Sequence, residues 1–247
     1  MNFQTRSNKI RGLDLWLEAD KGVTPSGGPI STWADQSGHG NNATQTTTGN
    51  KPALVPNVLN GLPVVRFNGT SSYLNLPYFM EYATQGEGFV VLRNKVSGFS
   101  GTGYGSLWFL GDSTVLLGDP VVCPTGYPYY YRDSITENFG STNIFHIPVS
   151  LESLGNFNVY EVSSQTDNWN AWINGVSLYH SSDSHIVSFG NQCLNLGRWT
   201  KYFPNSQYGN YYWWFEGDVA EVLVFNRALS TDERATINAY LKGKYGL

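Results

Sequence analysis

Apolar positions along the chain recur with a period of two far more often than with a helical period. Leu13, Leu15 and Leu17 alternate with Asp14, Trp16 and Glu18, the pattern of a strand with one buried face. Val55, Val58 and Leu59 precede Asn60-Gly61, and Leu62, Val64, Val65 and Phe67 follow it. Asn-Gly between apolar runs predicts a tight hairpin, because both residues tolerate positive φ. Asn174-Gly175 makes the same prediction for residues 169–173 and 176–179. Further short strands are predicted over 30–33, 86–92, 107–110, 157–162 and 194–197. From 219 to 225 nearly every position is apolar, as in a strand buried on both faces. The segments 25–29 and 35–42 are turn chemistry, rich in Gly, Pro, Asp and Asn. Helical spacing occurs only at the end of the chain. Ser230-Thr231-Asp232-Glu233 fits a capping box and predicts a helix over 231–242, packed outside the sheets through Ile237, Tyr240 and Leu241. Gly243 and Gly246 are its candidate stops.

Composition narrows the class. The 247 residues allow two small domains or one large sandwich, and no linker or repeat divides them. The expectation is a polar arm over 1–11 and one domain over 12–247, with insertions near 111–149 and 199–215. Hydrophobic residues make up 40%, enough for a sizeable core, whereas charged residues reach only 14%. The net charge of −4 and the lack of Lys/Arg runs exclude a nucleic-acid partner. No apolar run approaches the ~18 residues of a membrane span, so no membrane insertion is expected. Residues 1–11 lack the apolar core of a signal peptide. The expected location is extracellular or a virion surface, reached without a signal peptide in this chain. Cys123 and Cys193 have neither zinc-site nor scaffold spacing and are expected as reduced thiols.

Four groups of residues then resemble a known family. The first is Gly217-Asp218-Val219-Ala220-Glu221-Val222-Leu223-Val224-Phe225-Asn226-Arg227-Ala228-Leu229-Ser230 with the ending Tyr240-Leu241-Lys242-Gly243-Lys244-Tyr245-Gly246-Leu247. The others, earlier and in the right order, are Trp33-Ala34-Asp35-Gln36-Ser37-Gly38-His39-Gly40-Asn41, Asn60-Gly61-Leu62-Pro63-Val64-Val65-Arg66-Phe67 and Trp172-Ile173-Asn174-Gly175. Together they resemble the LamG-like, concanavalin A-like jelly-roll family. The resemblance implies an all-β fold, a concanavalin A-like jelly-roll sandwich of two antiparallel sheets with one C-terminal helix. It also implies a non-catalytic adhesion or carbohydrate-binding role, sometimes with calcium at the sandwich rim. The segments 111–149 and 199–215 depart from the family pattern, so this member's own function is sought there.

Candidate chemistry is concentrated in those segments. Tyr127, Tyr129, Tyr130 and Tyr131 crowd the first; Trp199, Tyr202, Phe203, Tyr208, Tyr211, Tyr212, Trp213 and Trp214 crowd the second. Sugar rings present apolar C–H faces that stack on aromatic rings while amides bond the hydroxyls. The expected ligand-binding set is therefore Trp199, Tyr202, Asn205, Gln207, Tyr208 and Asn210 on a loop, joined by Tyr127 and Tyr130. Tyr211, Trp213 and Phe215 instead alternate as one face of a strand and are read as core. Glu216-Gly217-Asp218-Val219-Ala220-Glu221 resembles the E-x-D-x-x-E strand of laminarinase-like glycosidases, where a bulge brings two carboxyls to one face. The family signature explains the same residues without catalysis, so no enzyme activity is expected. Asp35, Asp112 and Asp119 are candidate calcium ligands, with turn stabilisation as the alternative; no cofactor is expected, calcium being the possible exception. The four histidines show no metal-ligand spacing.

The leading reading is a carbohydrate-binding or adhesion module whose partner is a polysaccharide or cell-surface glycan. The alternative is a structural or decoration protein of a phage capsid or tail, with other virion subunits as partners and a possible homo-oligomer. A laminarinase-like glycosidase comes third.

Overall fold

The computed structural model describes residues 10–25, 27–80, 82–95, 104–110, 126–129, 134–141, 143–183, 187, 189, 194–201 and 211–247. Its frame is a nine-stranded antiparallel sheet. Across it run the strands Val176–Ser181, Asn168–Ile173, Asn158–Gln165, Gln85–Asn94, Glu216–Phe225, Leu62–Asn68, Ala53–Leu59 and Gly28–Pro29. Glu216–Phe225 is long enough to take two neighbours in tandem on one side. Its first half pairs with Leu62–Asn68 and its second half with Leu13–Glu18. The Asn60-Gly61 and Asn174-Gly175 hairpins form as predicted, with φ of 49° and 76°, and of 53° and 77°.

A second layer faces this sheet. It is made of a four-stranded sheet, Tyr104–Ser106, Gly126–Tyr129, Ser134–Glu137 and Phe145–Pro148, and a six-stranded one that includes Trp108–Phe109, Asn195–Leu196 and Leu74–Asn75. The sandwich core between the layers holds Trp33, Phe67, Trp108, Phe139, Tyr160, Trp169 and Phe215. Within the expected insertion 111–149, the strands Gly126–Tyr129, Ser134–Glu137 and Phe145–Pro148 belong to the four-stranded sheet of the second layer, and Ile135, Phe145 and Ile147 enter the core.

The outer face of the large sheet is covered by the C-terminal helix, Thr231–Tyr245. Ser230 and Glu233 form the predicted capping box, and the helix runs past Gly243 to end at Gly246 in the left-handed conformation. Ile237, Leu241 and Tyr245 pack on Trp16, Phe89, Leu223 and Phe225. Two corrections follow from this cover. Trp16 and Glu18, expected on a solvent face, are buried under the helix, and so is Ile10 from the expected arm. Glu216–Phe225 is buried on both faces as its sequence predicts, with Val222 and Val224 in the sandwich core and Leu223 and Phe225 under the helix. Among the described residues, no helix is long and apolar enough to cross a membrane.

Candidate functional site

One end of the sandwich carries an aromatic ribbon. Arg198–Lys201 and Tyr211–Trp214 pair as an antiparallel two-stranded ribbon, in which Trp199 lies opposite Trp213 and Arg198 opposite Trp214. Directly opposed side chains share a face. Trp199 and Trp213 accordingly stack with centroids 4.2 Å apart and planes 11° from parallel. On the other face the Arg198 guanidinium sits 3.5 Å from the centroid of Tyr73 and 5.7 Å from that of Trp214. Tyr73 and Trp214 themselves meet at 6.0 Å. Each such cation–ring contact is worth ~0.5–1 kcal/mol when exposed and more when desolvated. Tyr73, Arg198, Trp213 and Trp214 are all half-buried, so the rings are held in place with part of their surface in water.

The predicted site residues fall out unevenly against this ribbon. Trp199 does not stand on a loop: it belongs to the strand Arg198–Lys201 and is only 3% exposed. Its polar neighbours in sequence suggested a loop, but pairing opposite Trp213 in a strand turns Trp199 inward. Trp213, read as core, is instead half-exposed, whereas Phe215 is core as read. Tyr127 lies in the strand Gly126–Tyr129. Tyr202, Asn205, Gln207, Tyr208, Asn210 and Tyr130 lie outside the described residues, as do Cys123, Cys193, Asp112 and Asp119. The two aromatic segments do adjoin, because Tyr104–Ser106 pairs with Gly126–Tyr129 and also contacts both strands of the ribbon. Arg198 and Tyr73 were not foreseen. Arg198 was legible once the ribbon register was known, but nothing local marks Tyr73, which arrives from the far side of the chain.

Two exposed tyrosines occupy the opposite end. Tyr78 is 60% and Tyr82 is 88% exposed. They precede Gln85–Asn94, whose first residues lie level with Phe225, whereas the ribbon leads into Glu216 at the other end of the same ladder.

The two carboxylates of the glycosidase reading are in very different places. The register shift between Val219 and Glu221 puts Ala220 and Glu221 both on the outer face, so Glu216 and Glu221 share that face. Glu216 is half-buried and 3.8 Å from Lys95. Glu221, however, is fully buried beneath the helix. It accepts from Trp16 Nε1 at 2.7 Å, Tyr245 Oη at 2.7 Å, Tyr240 Oη at 3.0 Å and Lys244 Nζ at 2.9 Å. Burial pushes its carboxyl up while Lys244 pulls it back, and burial also pushes the hydroxyls of Tyr240 and Tyr245 up, so both stay donors. This carboxylate fastens a helix to a sheet.

Asp35 is likewise occupied by its own turn. One oxygen accepts from the Trp16 and Ser37 amides, the other from the Ser37 hydroxyl and the Asn41 amide. Among the described residues, no group of three or more His, Cys, Asp or Glu is placed to hold a metal ion.

No protein-family model matches the chain, and no curated protein matches it either. Solved structures do. Domain 4 of AbnA, a GH43 extracellular arabinanase from Geobacillus stearothermophilus, in complex with arabinotriose, is similar with a TM-score of 0.56 at 15% identity, over 90% of this chain and 96% of that one. The sialidase of Trypanosoma rangeli, with the inhibitor DANA, is similar with a TM-score of 0.58 at 12% identity, over 92% of this chain and 32% of that one. The botulinum neurotoxin serotype G binding domain follows with 0.56 at 11% identity, over 93% of this chain and 51% of that one. At these identities the likeness is one of architecture, shared with nearly the whole of the AbnA domain and with part of the sialidase and of the neurotoxin binding domain.

Proposed function

We propose that this chain is a non-catalytic, LamG-like carbohydrate-binding module that takes a polysaccharide or cell-surface glycan, in an extracellular setting, at the aromatic ribbon. The observation that carries this reading is the half-exposed, mutually braced set Tyr73, Arg198 and Trp214 on one face of the ribbon, with Trp213 braced by Trp199 on the other. Rings fixed before binding lose little freedom when a sugar stacks on them. In this reading Tyr202, Asn205, Gln207, Tyr208 and Asn210, which follow Lys201 in sequence, also contact the ligand, as do Tyr127 and Tyr130. Domain 4 of AbnA, similar over nearly its whole length, was solved with arabinotriose, which supports a sugar ligand. The reading needs no metal and no catalytic carboxylate, since Glu221 is enclosed by the helix.

A glycan array with the wild type, followed by calorimetry on the best ligand, tests this reading. Trp214→Ala is expected to weaken affinity several-fold, the equivalent of ~1 kcal/mol for one stacked ring, and EDTA is expected to leave affinity unchanged. An array with no binder, or a Trp214→Ala protein that keeps its fold and full affinity, overturns the proposal. A stable trimer or larger in a sizing run, together with an empty array, favours the assembly reading instead.

A further inference from the structure

Among the described residues, four acids, Glu18, Glu87, Glu161 and Glu221, are buried between the large sheet and its helix, and two of them are crowded onto one cation. Glu87 and Glu161 are diagonal neighbours on adjacent strands, since Ser163 pairs with Glu87 and Glu161 with Phe89. Arg234 Nε lies 2.7 Å from Glu87 Oε1 and 3.3 Å from Glu161 Oε1, and Arg234 Nη2 lies 3.1 Å from Glu87 Oε2. The guanidinium is backed by the ring of Trp172 at 4.8 Å. The other groups that bond the pair are neutral: the Leu229 amide on Glu87 at 2.8 Å and Asn238 Nδ2 on Glu161 at 2.9 Å. Arg227 is the other cation near Glu87, and it is committed to Glu233. The helix's second clamp is separate: Lys244 binds Glu18, Asp20 and Glu221, while Lys21 also binds Glu18.

Two ionised carboxylates against one guanidinium would leave a net negative charge in a site from which water is excluded. Such a charge is strongly unfavourable, and retaining a proton removes it. We propose that Glu87 and Glu161 hold one proton between them at neutral pH, and that this proton together with Arg234 docks the first half of the helix, so that helix attachment weakens as pH rises until the proton is lost. The energetics agree in direction. Burial first, and then the charge of Glu87, push the Glu161 carboxyl up to about 8, and burial also raises Glu87. A folded value above the unfolded one means the stabilisation is complete below the ordinary 4.5 and is lost as pH rises through about 8.

The test is the unfolding equilibrium of the full chain across this range, wild type beside Glu161→Gln, with infrared spectra of both. Relative to the variant, the wild-type unfolding constant should rise by about tenfold per pH unit until the carboxyl has titrated, and then run parallel to it. At neutral pH the wild type should also show a protonated-carboxyl stretch that Glu161→Gln lacks. Parallel curves throughout, or spectra without that difference, overturn the proposal. If Glu161→Gln does not fold, Glu87→Gln gives the same readouts, because it too leaves one carboxyl for one guanidinium.

Discussion

Gly197 decides where the aromatic ribbon points. It joins Asn195–Leu196 to Arg198–Lys201 at φ 91°, and a Cβ there would lie 2.3 Å from a ring carbon of Phe67. Its amide donates to Leu107 O at 2.6 Å and its carbonyl accepts from Phe215 N at 3.0 Å, so the turn is tied into the second layer and the large sheet together. Gly197→Ala adds both a disfavoured φ and a clash, and should cost about 1–3 kcal/mol or more in urea unfolding. Trp199 is the next point of control. As a buried ring stacked on Trp213, it should cost about 3–5 kcal/mol when replaced by Ala; a loss below about 1 kcal/mol would mean that the ribbon is not packed as described.

Among the elements, the C-terminal helix is fastened at both ends and greased in the middle. Ile237 and Leu241 are fully buried at its centre, and Ile237→Ala should lower stability by about 2–4 kcal/mol in the same unfolding experiment. At its start, hydrogen bonding from Arg227 holds the Glu233 carboxyl down to about 2, with the Ser230 amide adding to the effect. The sign is opposite to that of the buried pair: the cap's contribution is present above the ordinary 4.5 and is lost as pH falls through about 2. Circular dichroism should therefore show the first helical turn fraying in strong acid, and Arg227→Ala should move that fraying to higher pH. This helix was legible in the sequence because its capping box is local, and so were the two Asn-Gly hairpins, whose φ angles are set by the turn residues themselves. What covers the outer face was not legible. The polar-looking alternation of Asp14, Trp16 and Glu18 conceals that Trp16 and Glu18 meet Glu221, Tyr240 and Lys244 more than two hundred residues later. The ribbon was misread for a related reason: whether Trp199 stacks inward depends on its register with Trp213, which pairing across a long connection sets.

For the whole molecule, the inner face of the large sheet is covered by the second layer and part of its outer face by the helix, beyond which Arg66 and Arg93 stay partly exposed. In the proposed reading recognition falls to the ends, where short ribbons sit on the sandwich frame. The two ends differ in kind. One holds braced rings around Arg198, and the other holds Tyr78 and the left-handed Tyr82 with most of their surface in water. The central claim is that sugar binds at the braced end, and the most direct measurement is a heteronuclear NMR titration with the best array ligand, following the indole N–H signals of the eight tryptophans. The account predicts saturable shifts at Trp213 and Trp214 with Trp33, Trp108 and Trp169 unmoved. Saturable binding that leaves Trp213 and Trp214 unmoved and shifts the backbone around Tyr78 and Tyr82 instead would contradict it.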